Sequence, residues 1–408
     1  MPGSPKKARI SRTEVSTLRY PSGYGRHSLG AHRSCAVCLY FGLVSPPNTL
    51  QAINIANHTV TNITVGNFPF PVSVSPDGTR AYVGNSGDET VSVINTSDNT
   101  VIATFAAYDL PDQYAIAVSA DGRVLYVVGS NSQQNEVLVI DTSTGRTTAT
   151  IPLGAGAPSG VAVSPDGRRV YVANGYNGNY GTVEVIDAGT YEVTAVNMGN
   201  FGPFYVAVTP DSSLVYVTAG TGGLAEAIRA SDLSVFQLAM SGSCTTFSAD
   251  GTLAYVTYPS QVSFIEVVDT PTGGINYNVQ IPLPDGAFPI AISTTPDGSQ
   301  VYVADFLGYV VWVISTASNT VIASIPVGSN PEPLGIFIQP PWGSGGGGGG
   351  GGTSQPGKLL GDSCGKCKKD HKVYSPPAGD PIDIASGNVF YANEDNTTTG
   401  LNPLSFTR

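Results

Sequence analysis

The residues of this 408-residue chain that could do chemistry are few: four histidines, five cysteines and a handful of loop carboxylates. Acid–base and triad chemistry needs a histidine, or carboxylates in special surroundings. Of His27, His32, His58 and His371, only His58 falls in the long patterned centre of the chain, at a tight turn where a solvated side chain is expected. Cys364-Gly-Lys-Cys367, with His371 shortly after, is half of a zinc-type knuckle. A structural zinc takes four ligands, so a local disulfide or free thiols is the simpler reading and no metal site is assigned. Cys35-Ala-Val-Cys38 could supply a second pair, but it sits where a strand is expected, and strand positions three apart face opposite ways. Cys244 reads as a small buried residue. An odd cysteine count does not make a disulfide framework. Asp88, Asp112, Asp305 and Glu332 lie in loops and would hold calcium only by converging on one point. GAGAPSG, at 154–160, resembles a phosphate loop in composition, but it joins strand to strand with no helix behind it. No catalytic residue, cofactor or metal is therefore assigned, and the chain is not expected to be an enzyme.

Binding is the chemistry left. Aromatic side chains give large contact area at low entropy cost, as in recognition of sugars or proteins. Tyr176, Tyr180, Phe306 and Tyr309 lie in variable loops and are assigned as ligand-binding residues. Phe68, Phe204 and Phe288 each neighbour a proline at one repeat phase, which favours packing over presentation.

These loops must be held by something regular, and the sequence shows what. Six near-copies of one phrase run down the chain: VSVSPDGTRAYVGN from Val72, IAVSADGRVLYVVG from Ile116, VAVSPDGRRVYVAN from Val161, VAVTPDSSLVYVTA from Val206, TTFSADGTLAYVTY from Thr245 and ISTTPDGSQVYVAD from Ile292. Their turn aspartates, Asp77, Asp121, Asp166, Asp211, Asp250 and Asp297, are spaced 44, 45, 45, 39 and 47 residues apart. Such a period built of short strands means a propeller or a solenoid. In each unit an alternating strand runs into Pro-Asp-Gly, read as a three-residue hairpin with glycine at the left-handed position. A second strand follows with a tyrosine five residues past each aspartate: Tyr82, Tyr126, Tyr171, Tyr216, Tyr255 and Tyr302. A third strand (TVSVIN from Thr90, TVEVID from Thr182) and a fourth (TVIATF from Thr100, TVIASI from Thr320) complete four antiparallel strands, one propeller blade. No window carries a sustained helical period.

The ends set the count. Residues 39–65 match strands two to four of a unit, and PLGIFIQP at 333–340 matches strand one. The expected fold is therefore all-β: a seven-bladed β-propeller whose last blade is shared by N- and C-terminal strands, which removes open edges. In the fourth unit Asp211-Ser212 replaces Asp-Gly and GGLAEAIRA blurs the third strand, so that blade is expected to be irregular. The domains follow: a disordered basic leader at 1–34, the propeller at 35–342, a Gly-rich linker at 343–357 with eight consecutive glycines, and an irregular tethered tail at 358–408.

Charge is divided in the same way. The leader carries a net charge of +6, the propeller −17 with six arginines and no lysine, and the remainder is neutral. So acidic a propeller has no electrostatic footprint for nucleic acid or an anionic membrane. The leader lacks the apolar core of a secretory signal, and no run is long and apolar enough for a membrane helix. The expected partner is a protein or glycan on the aromatic loop face, with no nucleic acid and no membrane insertion, and the chain is expected to be a monomer.

The YVGN, YVVG, YVAN, YVTA, YVTY and YVAD runs, each trailing a PDG-like turn, resemble the bacterial YVTN-type β-propeller repeat over about three quarters of the chain. That resemblance implies a secreted or surface bacterial protein; more distant seven-bladed relatives include lactonases and quinoprotein subunits. The phrase GDPIDIASGNVFYANEDNTTTGLNPLSFTR, at 379–408, resembles the opening of an RHS/YD-repeat domain, where it precedes a long β-shell. The chain stops where that shell would begin, so a truncated gene product is expected. Together the resemblances imply a non-catalytic binding or adhesion propeller of an extracellular or cell-surface RHS-type protein. The alternatives are a lactonase- or quinoprotein-like enzyme, or a gene fragment without a function of its own.

Overall fold

The computed structural model describes residues 38–331, apart from 46–47, 108–109, 111, 131–133, 177–179, 200–201, 220–223, 259–263 and 271–278, together with one two-residue strand pair at Ile382–Asp383 and Asn388–Val389. The leader, the linker, PLGIFIQP and nearly all of the tail lie outside the described residues. The chain divides into two compact units, Met1–Gly349 and Gly350–Arg408. In the second, Ile382–Asp383 pairs antiparallel with Asn388–Val389.

The first unit is a seven-bladed β-propeller, and no helix occurs among its described residues. Each blade is a four-stranded antiparallel sheet, and in blades 1 to 6 the strands follow sequence order from the inner strand outward. Blades 1 to 6 occupy 69–106, 112–152, 157–197, 203–241, 245–282 and 289–326. Blade 7 is the composite one: Ser329–Pro331 pairs with Cys38–Ser45 through Leu43↔Pro331 and Ser45↔Ser329, and Thr49–Asn54 and Val60–Thr64 follow. From blade 1 to blade 6 each inner strand packs on the next; blade 7 meets blade 6 through Ser329–Pro331 against Gln300–Asp305 and blade 1 through Cys38–Ser45 against Pro69–Val74, so the ring is closed.

The repeated phrase folds the same way each time because its polar atoms are satisfied locally. In blade 3 the Ser164 hydroxyl donates to Asp166 at 2.6 Å, Asp166 accepts the Arg168 N–H at 3.0 Å, and the Arg169 N–H returns to the Ser164 hydroxyl at 3.0 Å. The same serine- or threonine-to-aspartate bond, 2.6 Å long, recurs at Asp77, Asp121, Asp211, Asp250 and Asp297. Backbone bonds join Ser164 to Arg169 across the loop, so it spans four residues, 165–168, rather than the expected three. Gly167 takes φ +72°, as the turn requires. Blade 4 keeps four strands and carries the expected irregularity as a register shift between Leu224 and Glu226 where its third and fourth strands pair. Ser212 adopts φ +62° in the glycine's place, and Leu224–Arg229 forms a third strand that is paired on both sides over Glu226–Ile228. The shortened blade is blade 5, whose inner strand is only Thr245–Phe247.

The six phased tyrosines share one role: each is at most 2 % exposed, packed into the inter-blade core. Blade 7 supplies a seventh, Tyr40, in the same register against Ala52 as Tyr82 holds against Val93. It too is fully buried, and its hydroxyl donates to Asn99 Oδ1 at 2.8 Å.

Candidate functional site

One face of the propeller carries the loops between blades and those between strands two and three. Backbone bonds tie these two loop sets together within a blade: the Ser86 N–H donates to Phe68 O at 3.1 Å in blade 1, and the Phe306 N–H to Phe288 O at 3.0 Å in blade 6.

In blade 6 the hub is Asp305, 1 % exposed at the end of strand Gln300–Asp305. Its Oδ1 accepts the Phe288 N–H at 3.0 Å and the Gly308 N–H at 2.9 Å, and its Oδ2 accepts the Trp312 indole N–H at 3.1 Å. These bonds fix the turn 306–309. Phe306 lies half-buried with its ring 6.4 Å from that of Phe288. Leu307 and Tyr309, by contrast, are 59 % and 45 % exposed. Tyr309 sits at φ +53°, matched by Glu89 at +52° in blade 1, so this left-handed residue belongs to the loop type. Asp88 plays the tethering part in blade 1, accepting both the Asn67 N–H and its side-chain amide at 2.6 and 2.5 Å. Phe68, expected to pack, is 63 % exposed at φ +50°. In blade 3, Tyr176 and Tyr180 end the paired strands Arg169–Tyr176 and Tyr180–Asp187 and are register partners; their side chains lie outside the described residues.

The four sequence-assigned residues thus occupy two loops of this face, in blades 3 and 6. Phe306 leans on Phe288 while Tyr309 is presented. Leu307 was missed because an aliphatic residue in a loop gives no chemical signal. Phe68 was misread because its neighbours differ: the position that Phe306 fills in blade 6 is Ser86 in blade 1, too small to cover a ring.

The groups that chemistry would use are otherwise engaged. His58 sits at φ +58° in its turn, as expected, but half-buried, edge-on to Tyr302 with ring centroids 6.4 Å apart, rather than freely solvated. Cys244 is buried, its thiol donating to Ile290 O at 3.0 Å, and burial pushes its pKa up to about 12. Burial likewise pushes the Tyr126, Tyr216 and Tyr302 phenols up to about 12, so they stay protonated. Burial works against ionisation of Asp77, Asp121, Asp211 and Asp297, but the hydroxyl and N–H donors aimed at them outweigh it and hold the carboxyls below the usual range. At Asp250 the Ser248 hydroxyl is the largest influence, with the same result. Of the loop carboxylates, Asp305 and Asp88 are each tied to their own turn; the side chains of Asp112 and Glu332 lie outside the described residues. Among the described residues no three histidine, cysteine or acidic side chains form a group able to hold a metal ion.

Comparison with known proteins defines the class and goes no further. No protein-family model and no curated protein matches the chain. Solved structures do. The chain is similar to Kuenenia stuttgartiensis hydrazine synthase at 21 % identity and TM-score 0.57, over 65 % of this chain and 88 % of that one. It is similar at 15 % identity and TM-score 0.62 to a functionally unknown protein from Desulfotomaculum acetoxidans DSM 771, over 75 % and 99 %. A candidate 6-phosphogluconolactonase from Bacteroides uniformis ATCC 8492 matches at 14 % identity and TM-score 0.56, over 74 % and 98 %. At these identities the likeness shows a shared β-propeller fold alone.

Proposed function

We propose that the propeller is a non-catalytic binding module that engages a protein or glycan through the face carrying Phe68, Leu307 and Tyr309, and that Tyr176, Tyr180 and Phe306 belong to that surface. The observation that carries this reading is the contrast on that face: Asp88 and Asp305 are consumed by their own turns, while Phe68, Leu307 and Tyr309 are left at 45 to 63 % exposure. Large exposed apolar side chains held on rigid turns are what recognition surfaces are built from. The YVTN-type phrases and the RHS-like phrase at 379–408 support display outside a bacterial cell, with the propeller acting as a monomer.

The test is binding of the full chain to immobilised glycans and surface-protein fragments, beside the double variant Leu307→Ser, Tyr309→Ser. Loss of two presented contacts predicts affinity about tenfold or more weaker, with an unchanged melting temperature. Unaltered binding would place recognition elsewhere. Lactone hydrolysis by the wild-type chain would overturn the non-catalytic reading.

A further inference from the structure

The repeat provides an internal control for what each blade position is for. The residue opposite the one that follows the phased strand-two tyrosine can be followed around the ring by register. It is Ser92 in blade 1, facing Val83; Leu138 in blade 2, facing Val127; and Glu184, Glu226 and Glu266 in blades 3 to 5, facing Val172, Val217 and Val256. It is Trp312 in blade 6, facing Val303, and Gln51 in blade 7, facing Phe41. Several of these side chains are tied in by hydrogen bonds. Glu184 accepts from Thr182 and Asn174, Trp312 donates to Asp305, and Gln51 spans from Asn62 to the Gly328 N–H. Blade 1 alone has the smallest of the seven side chains there.

A cavity of about 390 Å³ opens at that place, between blade 7 and blade 1. That is the size of small-molecule pockets, which run from about 300 to 1,000 Å³. Its polar wall is made by Thr64, Asn85, Asp88, Thr90, Ser92 and Thr104, and Val65 and Val101 add an apolar side. Asn85 is fully buried. Its side-chain amide donates to Thr90 Oγ at 3.0 Å and Ser92 Oγ at 2.9 Å, leaving both hydroxyl protons free to donate elsewhere. Its Oδ1 has no hydrogen-bond partner. A buried carbonyl left unpaired is costly, about 1–3 kcal/mol, but the equivalent Asn174 of blade 3 carries the same unpaired Oδ1, so it is the hydroxyls and the open space, rather than this atom, that point to a ligand. Gly66 keeps the floor close: a β-carbon there would stand 2.6 Å from Asn85 Cγ.

The lining selects the ligand class. It holds hydroxyls, one amide and one carboxylate, with no cationic group to attract an anion. Calcium takes six to eight oxygens, commonly with several carboxylates; only Asp88 is present, and both its oxygens already accept from Asn67. Hydroxyl donors and acceptors on one side and two valines on the other match a sugar ring, with its hydroxyl edge and its C–H face. We propose that the recess between blades 7 and 1 binds a neutral polyhydroxylated ligand, a monosaccharide unit. This site is separate from the Leu307 and Tyr309 loop and extends the binding reading to a second location.

The experiment titrates D-glucose, D-galactose, D-mannose and N-acetyl-D-glucosamine into the full chain, followed by calorimetry and amide chemical shifts, with calcium chloride as a control. At least one sugar is expected to bind and to shift the Thr64, Asn85 and Thr90 amides. Ser92→Leu, which installs the blade 2 residue, should weaken it about tenfold or more. Thr104→Val, nearly isosteric, should weaken it several-fold without altering the melting temperature, and decides the matter should Ser92→Leu fail to fold. Leu307→Ser, Tyr309→Ser should leave sugar binding intact. Absence of binding by all four sugars, equal affinity in both cavity variants, or a response to calcium alone would overturn the assignment. Loss of the sugar site with capture of a partner on the loop face retained would leave the proposed function standing.

Discussion

Asp305→Asn separates a structural carboxylate from a metal ligand. The side chain is 1 % exposed and accepts three hydrogen bonds, two from backbone N–H groups at 3.0 and 2.9 Å and one from the Trp312 indole at 3.1 Å. In asparagine the remaining oxygen can still face the two backbone donors, which places the new amide N–H₂ against the indole N–H, donor against donor. One charge-assisted bond is lost, worth about 1.5–3 kcal/mol, and the other two weaken because bonds to ionised acceptors are roughly twice as strong as neutral ones. Relief from burying a carboxylate offsets part of this. The net is a destabilisation of about 2 kcal/mol, or about 4 °C in melting temperature for a domain of this size. Asp305→Ala removes both acceptor oxygens and all three bonds; water can still reach the exposed Gly308 and the half-buried Phe288, so the loss is about 3 kcal/mol. Thermal melts of wild type and both variants, in chelator and in calcium, read the difference. The drop should be the same in both buffers. A variant that melts like wild type in chelator yet loses a calcium-dependent rise would refute the turn-building role and restore the lactonase-like alternative.

Two further outcomes follow from the packing and the charges. Tyr40→Ala, which empties the blade 7 member of the tyrosine ring, should cost about 3–5 kcal/mol and make the 38–64 segment the first site of limited proteolysis; cleavage beginning elsewhere would mean the ring is not closed through this blade. Burial raises the pKa of Glu226 above its unfolded value, and its Oε2 has no hydrogen-bond partner. A raised folded pKa favours the native state at low pH, and that contribution is lost as pH rises through the folded value. Glu226→Gln should therefore raise the melting temperature at neutral pH, with the gain vanishing as pH falls through the raised value towards the unfolded one. A gain that persists in acid would assign it to packing instead.

The architecture was legible because each blade needs the same local solutions. The serine- or threonine-to-aspartate bond, the left-handed glycine and the phased tyrosine are all short-range or strictly periodic, so a single chain displays the bond and the tyrosine six times and the glycine five. What was less legible depends on residues distant in sequence. Residues 39–65 read as strands two to four of a unit, but Tyr40 carries no turn aspartate before it, and its place in the tyrosine series shows once Cys38–Ser45 is paired with Thr49–Asn54. Blade 4 reads as damaged, yet Ser212 takes the left-handed turn and its hydroxyl accepts the Asp166 N–H of blade 3 at 3.1 Å, a bond glycine could not make. The local departure is compensated across a blade boundary, where a linear reading cannot look.

The same reasoning explains why exposure on the loop face cannot be read one loop at a time. Phe68 and Phe288 hold equivalent places, each with its carbonyl receiving the N–H of the following strand-two-to-three loop. In blade 6 that donor residue is Phe306, and the two rings lie together. In blade 1 it is Ser86, and Phe68 stands 63 % exposed. A few positions further along the same blade, Ser92 again replaces a larger neighbour-blade residue, and a cavity opens beneath. Two independent reductions in size fall in one blade of a ring whose other described blades fill at least one of the two places. Since truncating a buried side chain costs stability in proportion to the space left, such openings persist against the packing energy that would close them. Blade 1 is therefore the blade where the repeat yields to something other than its own stability. Refilling it, with Ser86→Phe above and Ser92→Leu within, should raise the melting temperature while removing binding, and a refilled blade that still binds would show that the openings are mere gaps in packing.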